Sequence, residues 1–129
     1  YLYELIDQIF YSFPGRNRTK IEKQIENFII NSKSLFSVGI IINELITNAF
    51  KYAFPDGREG TILISVKKLE GDKVELNVSD DGSGLPEGFS ISNSKGFGLN
   101  LIKMLTQKKG SSFQILQRDG AFFKVVIEV

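Results

Sequence analysis

"TILISVKKLEGDKVELNVSD", residues 61 to 80, consists of two runs in which apolar and polar side chains alternate, joined by "LEGD". A period of two is the signature of a half-buried strand, and two such runs around a Gly-Asp joint predict an antiparallel hairpin. A second pair of runs, "SSFQILQR" and "AFFKVVIEV" around Asp119-Gly120, predicts another hairpin at the end of the chain. Joints this tight argue against a doubly wound parallel sheet, whose parallel neighbours need long crossovers.

On the N-terminal side of the first hairpin lies the longest periodic segment, "SLFSVGIIINELITNAFKYAF", residues 34 to 54. Its apolar stripe of Val38, Ile42, Leu45, Ala49 and Ala53 predicts an amphipathic helix. Ser34 reads as the N-cap, and Pro55, Asp56 and Gly57 end the helix. Further upstream, "YLYELIDQIFYSF" places Leu2, Leu5, Ile6, Ile9, Phe10 and Phe13 at helical intervals until Pro14-Gly15. Between these helices "TKIEKQIENFII" is read as one or two short strands, although Ile21, Ile25 and Phe28 also fit a helix. Beyond the hairpin, "LNLIKMLTQKK" predicts another helix, closed by Gly110. Helices alternating with antiparallel hairpins predict an α/β two-layer sandwich, with a mixed sheet carrying its helices on one face.

The 129 residues suit a single domain, 1-129, with 42% hydrophobic and 24% charged residues as in ordinary soluble proteins. A net charge of +1 offers no electrostatic case for nucleic acid or an anionic membrane. Neither cysteine nor histidine is present, so disulfides, thiolate metal sites, imidazole catalysis and phosphohistidine formation on these residues are excluded. No apolar run is long enough to insert in a membrane. The chain begins at Tyr1 instead of Met, which reads as a fragment of something longer.

Three stretches carry candidate chemistry. In "NELITNAFKYAF", residues 43 to 54, Glu44, Thr47, Asn48 and Lys51 fall on one helical face. A solvated side of an amphipathic helix is one reading. Against it, Asn is a poor mid-helix residue, and the flanking "GIII" and "AFKYAF" are too apolar for a freely exposed helix. The functional reading gives Asn48 an uncharged oxygen for Mg²⁺, Glu44 a carboxylate to orient a nucleophile, and Lys51 a cation for phosphate. In "VSDDGSGLP", Asp80 ends a strand and can accept from an exocyclic amine such as adenine's. Gly82 and Gly84 beside it permit close approach of a flat ring, or form only a turn. In "KGFGL", Gly96 and Gly98 turn the chain into a helix whose first N–H groups can face an anion.

The order "NELITNAFKYAF", "VSDDGSGLP", "KGFGL" resembles the N, G1 and G2 boxes of the GHKL ATPase/kinase superfamily. That group includes gyrase ATPase subunits, ninety-kilodalton heat-shock chaperones, mismatch-repair ATPases and histidine kinases. The stretch "GIIINELITNAFKYAFPDGREGTILISV" is most similar to the catalytic domain of sensor histidine kinases of the HisKA_2/HWE-like branch. The resemblance implies the Bergerat α/β sandwich and a Mg·ATP site. It makes Asn48 the Mg²⁺ ligand, Glu44 and Lys51 the catalytic pair, and Tyr52 a flank of the adenine. It makes Asp80 the acceptor for the adenine amine, Gly82 and Gly84 the G1 turn, and Gly96, Gly98 and Leu99 the lid hinge and nucleotide contact. It also implies ATP and Mg²⁺ as cofactors, a cytoplasmic location, a separate phosphoacceptor histidine domain and a downstream response regulator. Several features depart from the pattern. The lid between the glycine boxes is short, and Gly120-Ala121 stands where relatives have Gly-Thr. Asp81 follows the G1 aspartate where asparagine is frequent, and either reshapes the magnesium shell or faces water. An anti-sigma-factor-type serine kinase and a non-catalytic nucleotide-binding module are the alternative readings.

Overall fold

The computed structural model describes residues 2–12, 19–50, 59–82, 97–107, 110–117 and 120–128. In chain order the elements are α1 (Leu2–Tyr11), β1 (Thr19–Ile25), α2 (Ser32–Asn48), β2 (Gly60–Leu69), β3 (Lys73–Asp80), α3 (Phe97–Leu105), β4 (Ser112–Gln117) and β5 (Ala121–Glu128). The strands form one sheet in the order β1-β2-β3-β5-β4. β1 runs parallel to β2, and the other three pairings are antiparallel. The mixed sheet with its helices is thus the α/β sandwich that the two hairpins and the helical stripes foretold.

The parallel pair is joined through α2, the helical crossover that two parallel neighbours need. The hairpin between β2 and β3 turns at Gly71 and Asp72, with φ of 73° and 58°. This left-handed backbone suits glycine and, less readily, aspartate, and it matches the twist of the flanking strands.

Strand alternation sends one set of side chains to the helices. Ile62, Ile64 and Val66 of β2, Val74, Leu76 and Val78 of β3, and Phe123, Val125 and Ile127 of β5 are buried there. They meet Ile6 of α1, Val38, Ile41, Ile42, Leu45 and Ile46 of α2, and Ile102 of α3 in one hydrophobic cluster. Burying each such side chain is worth about 1.5–3 kcal/mol, so this layer supplies the main driving force for the fold. α1 and α2 approach so closely that a Cβ at Gly39 would come within 2.9 Å of Leu5 Cδ2. α1 is also tied to β1 by an ion pair between Asp7 and Lys23.

The structure corrects one local expectation and narrows another. Ser34 does not cap α2. The cap is Asn31, whose extended backbone (φ −72°, ψ 161°) lets its side chain accept the Ser34 N–H at 2.8 Å. Helix α2 therefore begins at Ser32, and Ser34 lies within its first turn. Residues 19 to 30 yield one strand, because Thr19–Ile25 find ladder partners in β2 whereas residues 26 to 30 have no regular structure. The expected helix end at Pro55, Asp56 and Gly57 lies outside the described residues.

Candidate functional site

The candidate residues lie on two elements that pack together, α2 and β3. α2 finishes at Asn48 and β3 finishes at Asp80. The apolar stripe of α2 faces the core, with Val38, Ile42 and Leu45 fully buried and Ala49 nearly so. The next turn widens to a π-type turn at Ala49 and Phe50, a deviation frequent at functional sites. Phe50 packs on Phe10 of α1 with ring centroids 5.7 Å apart, which braces this end of the helix.

Within this frame Asn48 is only 6% exposed. Its amide nitrogen Nδ2 is buried and has no hydrogen-bond partner among the described residues. An unsatisfied buried donor costs about 1–3 kcal/mol, so the fold holds a polar group where packing alone would put an apolar one. Beside it Thr47 is half-buried and turns its hydroxyl back onto the Asn43 carbonyl at 2.7 Å. Glu44, one turn before Asn48, is half-buried, while Asn43 is exposed. Along the polar face of α2, exposure thus falls from half-buried Glu44 and Thr47 to enclosed Asn48.

At the end of β3 the carboxylate of Asp80 is fixed by backbone. Its Oδ1 accepts the Gly82 N–H at 2.9 Å and the Ala121 N–H at 3.3 Å. Charge-assisted bonds of this kind hold a carboxylate in one orientation more firmly than neutral ones. Gly120 completes the enclosure. It has φ of 129°, and a Cβ there would lie 2.0 Å from the Asp80 carbonyl oxygen. Only glycine lets β5 approach this closely.

Asp81 is exposed, and it also pairs with β2. Its Oδ1 accepts the Thr61 N–H of β2 at 2.8 Å, and its own N–H donates to the Thr61 carbonyl at 3.3 Å. Sequence reasoning missed this clip and the part played by Gly120. The partners are 20 and about 40 residues apart, and only the strand register brings them together. Of the remaining sequence candidates, Lys51, Tyr52, Gly84 and Gly96 lie outside the described residues. Gly98 and Leu99 fall in the first turn of α3. Among the described residues no cluster of three or more Asp, Glu, His or Cys forms a cage for a metal.

Comparison with known families decides the class. Residues 36–129 match the family described as histidine kinase-, DNA gyrase B- and HSP90-like ATPase. The chain belongs to that ATPase family. Its histidine-kinase branch supplies the named relatives. The chain is 26% identical to blue-light-activated histidine kinase 2 of Erythrobacter litoralis over 115 residues, 89% of this chain and 33% of that protein. The present ATPase domain therefore spans about a third of the relative's length. Among solved structures, the Erythrobacter litoralis EL346 blue-light activated histidine kinase matches 98% of this chain and 40% of its own, with a TM-score of 0.85 and 24% identity. Histidine kinase ThkA, solved in complex with the response regulator protein TrrA, covers 98% of this chain and 40% of its own at a TM-score of 0.65 and 21% identity. The ATPase domain is thus of the catalytic type found in sensor histidine kinases.

Proposed function

We propose that this domain binds Mg·ATP between the end of α2 and the end of β3, and donates the γ-phosphoryl group to a histidine of a separate phosphoacceptor domain. The observation that carries the reading is the buried Asn48 carboxamide with its unpartnered donor. A carboxamide in that position fits a magnesium triphosphate. Its oxygen is the hard, neutral ligand Mg²⁺ accepts, and its N–H is the donor a phosphate oxygen lacks. With no acidic cage among the described residues, the ion would take its other ligands from water and phosphate.

The roles then divide along the two element ends. Glu44 orients the incoming imidazole, and Lys51 neutralises charge on the transferring group. Asp80, already braced by the Gly82 and Ala121 N–H groups, accepts a hydrogen bond from the adenine amine. Tyr52 flanks the base, while Gly82, Gly84, Gly96, Gly98 and Leu99 let backbone close over base and phosphates. In the reaction an imidazole nitrogen bonds to the γ-phosphorus, the bond to the β,γ-bridging oxygen breaks, and ADP leaves. Catalysis is mainly positioning and charge neutralisation. The acceptor must be supplied by another domain, since these 129 residues include no histidine. A response regulator would take the phosphoryl group next.

Calorimetry tests the reading. ATP binding should require Mg²⁺, and Asn48→Ala should weaken it at least about tenfold, a loss of about 1.4 kcal/mol, without lowering the melting temperature. Equal weak heats with and without Mg²⁺ would instead favour a nucleotide-binding module without catalysis.

A further inference from the structure

We propose, resting on the ATP reading above, that Asp81 is a positioning residue that sets base selectivity by aiming Asp80. Asp80 pairs with Ile62, the last step of the β2–β3 ladder, and Asp81 comes opposite Thr61. There the ladder is completed by a side chain. The Asp81 N–H reaches the Thr61 carbonyl at 3.3 Å in the ordinary way. The return bond from the Thr61 N–H, however, goes to Asp81 Oδ1 at 2.8 Å.

This substitution has a geometric consequence. Because the carboxylate satisfies the Thr61 donor, the chain can leave the sheet at Asp81 without orphaning a backbone N–H. It turns at once, and the next N–H, from Gly82, comes back to Asp80 Oδ1 at 2.9 Å. Asp81 therefore fixes the peptide on one side of Asp80, while Gly120 and Ala121 of β5 close in from the other. A carboxylate held from both flanks presents its remaining acceptor capacity in a defined direction. Such an acceptor favours a purine with an amino group at position 6 and disfavours one with a carbonyl there, which would face it oxygen to oxygen. Asparagine at position 81 would keep the same acceptor oxygen, whereas alanine would remove it.

The test compares ATP with inosine triphosphate, which differs in that one group. In the wild-type domain ATP should bind more tightly. Asp81→Ala should lower the ATP-to-inosine-triphosphate affinity ratio about tenfold by weakening ATP alone, and Asp81→Asn should keep the wild-type ratio. Amide hydrogen exchange on the unmutated protein gives a second readout: ATP should slow exchange at Thr61 and Gly82, and inosine triphosphate should not. An unchanged ratio in Asp81→Ala, or equal slowing by both nucleotides, overturns the role of Asp81 and leaves the ATP site intact. A wild-type domain that binds neither nucleotide overturns the underlying reading itself.

Discussion

At the residue scale, chemistry and packing disagree at two positions. Asn48 buries a donor that nothing among the described residues satisfies, and Gly120 adopts a backbone that other residues strain to reach. For Gly120 the cost is steric as well as conformational, because any Cβ would sit 2.0 Å from the Asp80 carbonyl oxygen. Gly120→Ala should therefore destabilise the domain by about 2–4 kcal/mol in denaturant titration and displace Asp80. A loss below about 0.5 kcal/mol would mean that β5 yields easily. Asn48 and Asp80 stand out in the sequence because an asparagine inside an apolar helix and an aspartate ending an alternating strand are visible locally. The Asp81 clip does not, since the partner is a backbone N–H 20 residues earlier. Nothing in the side chain of Thr61 signals it.

At the element scale two devices hold the parts in register. The first is the start of α2. Asn31, Ser32 and Ser34 are all competent caps, so composition could not choose among them; the extended backbone at Asn31 does. Asn31→Ala should cost about 1 kcal/mol in chemical denaturation, while Ser34→Ala should cost no more than a few tenths. The second device lies on the sheet face turned away from the helices. Glu75 of β3, only 6% exposed, meets Lys67 of β2 at 3.1 Å and Lys124 of β5 at 3.1 Å, and accepts from Asn77 at 3.3 Å. Desolvation, the largest influence on its carboxyl, raises the pKa. The hydrogen bonds from Lys124, Lys67 and Asn77 together outweigh it and hold the group below its ordinary 4.5.

A folded pKa below the unfolded one contributes stability that is complete above about pH 4.5 and is lost as pH falls through the lower folded value. Glu75→Gln should accordingly flatten the acid limb of the stability curve below pH 4.5 and cost about 1–3 kcal/mol at pH 7. Urea midpoints measured across that range check both signs. The alternation of β3 was plain in the sequence, but this cross-strand grouping required the register. The ambiguity of β1 had the same root: Ile21 and Ile25 fit two periods, and only pairing with β2 resolved it.

At the scale of the whole molecule the sheet does for the site what no single element can. Order β1-β2-β3-β5-β4 puts β3 between β2 and β5, so the end carrying Asp80 is gripped from both neighbours. The same layer packs against α2 and fixes the helix whose last residue is Asn48. The two-layer architecture was legible because the hairpins and the helical stripes are continuous patterns of many residues. Depth of burial at Asn48 was not, because it depends on tertiary packing around the end of α2 and not on local pattern. The central claim is that this helix end faces a metal-bound triphosphate. It is tested most directly by paramagnetic broadening with Mn·ATP in place of Mg·ATP, read on the side-chain amide resonance of Asn48. We predict that Mn·ATP abolishes that resonance while Mn²⁺ alone, at equal concentration, leaves it intact. An Asn48 amide unchanged by saturating Mn·ATP, with broadening at another part of the fold, would contradict the account.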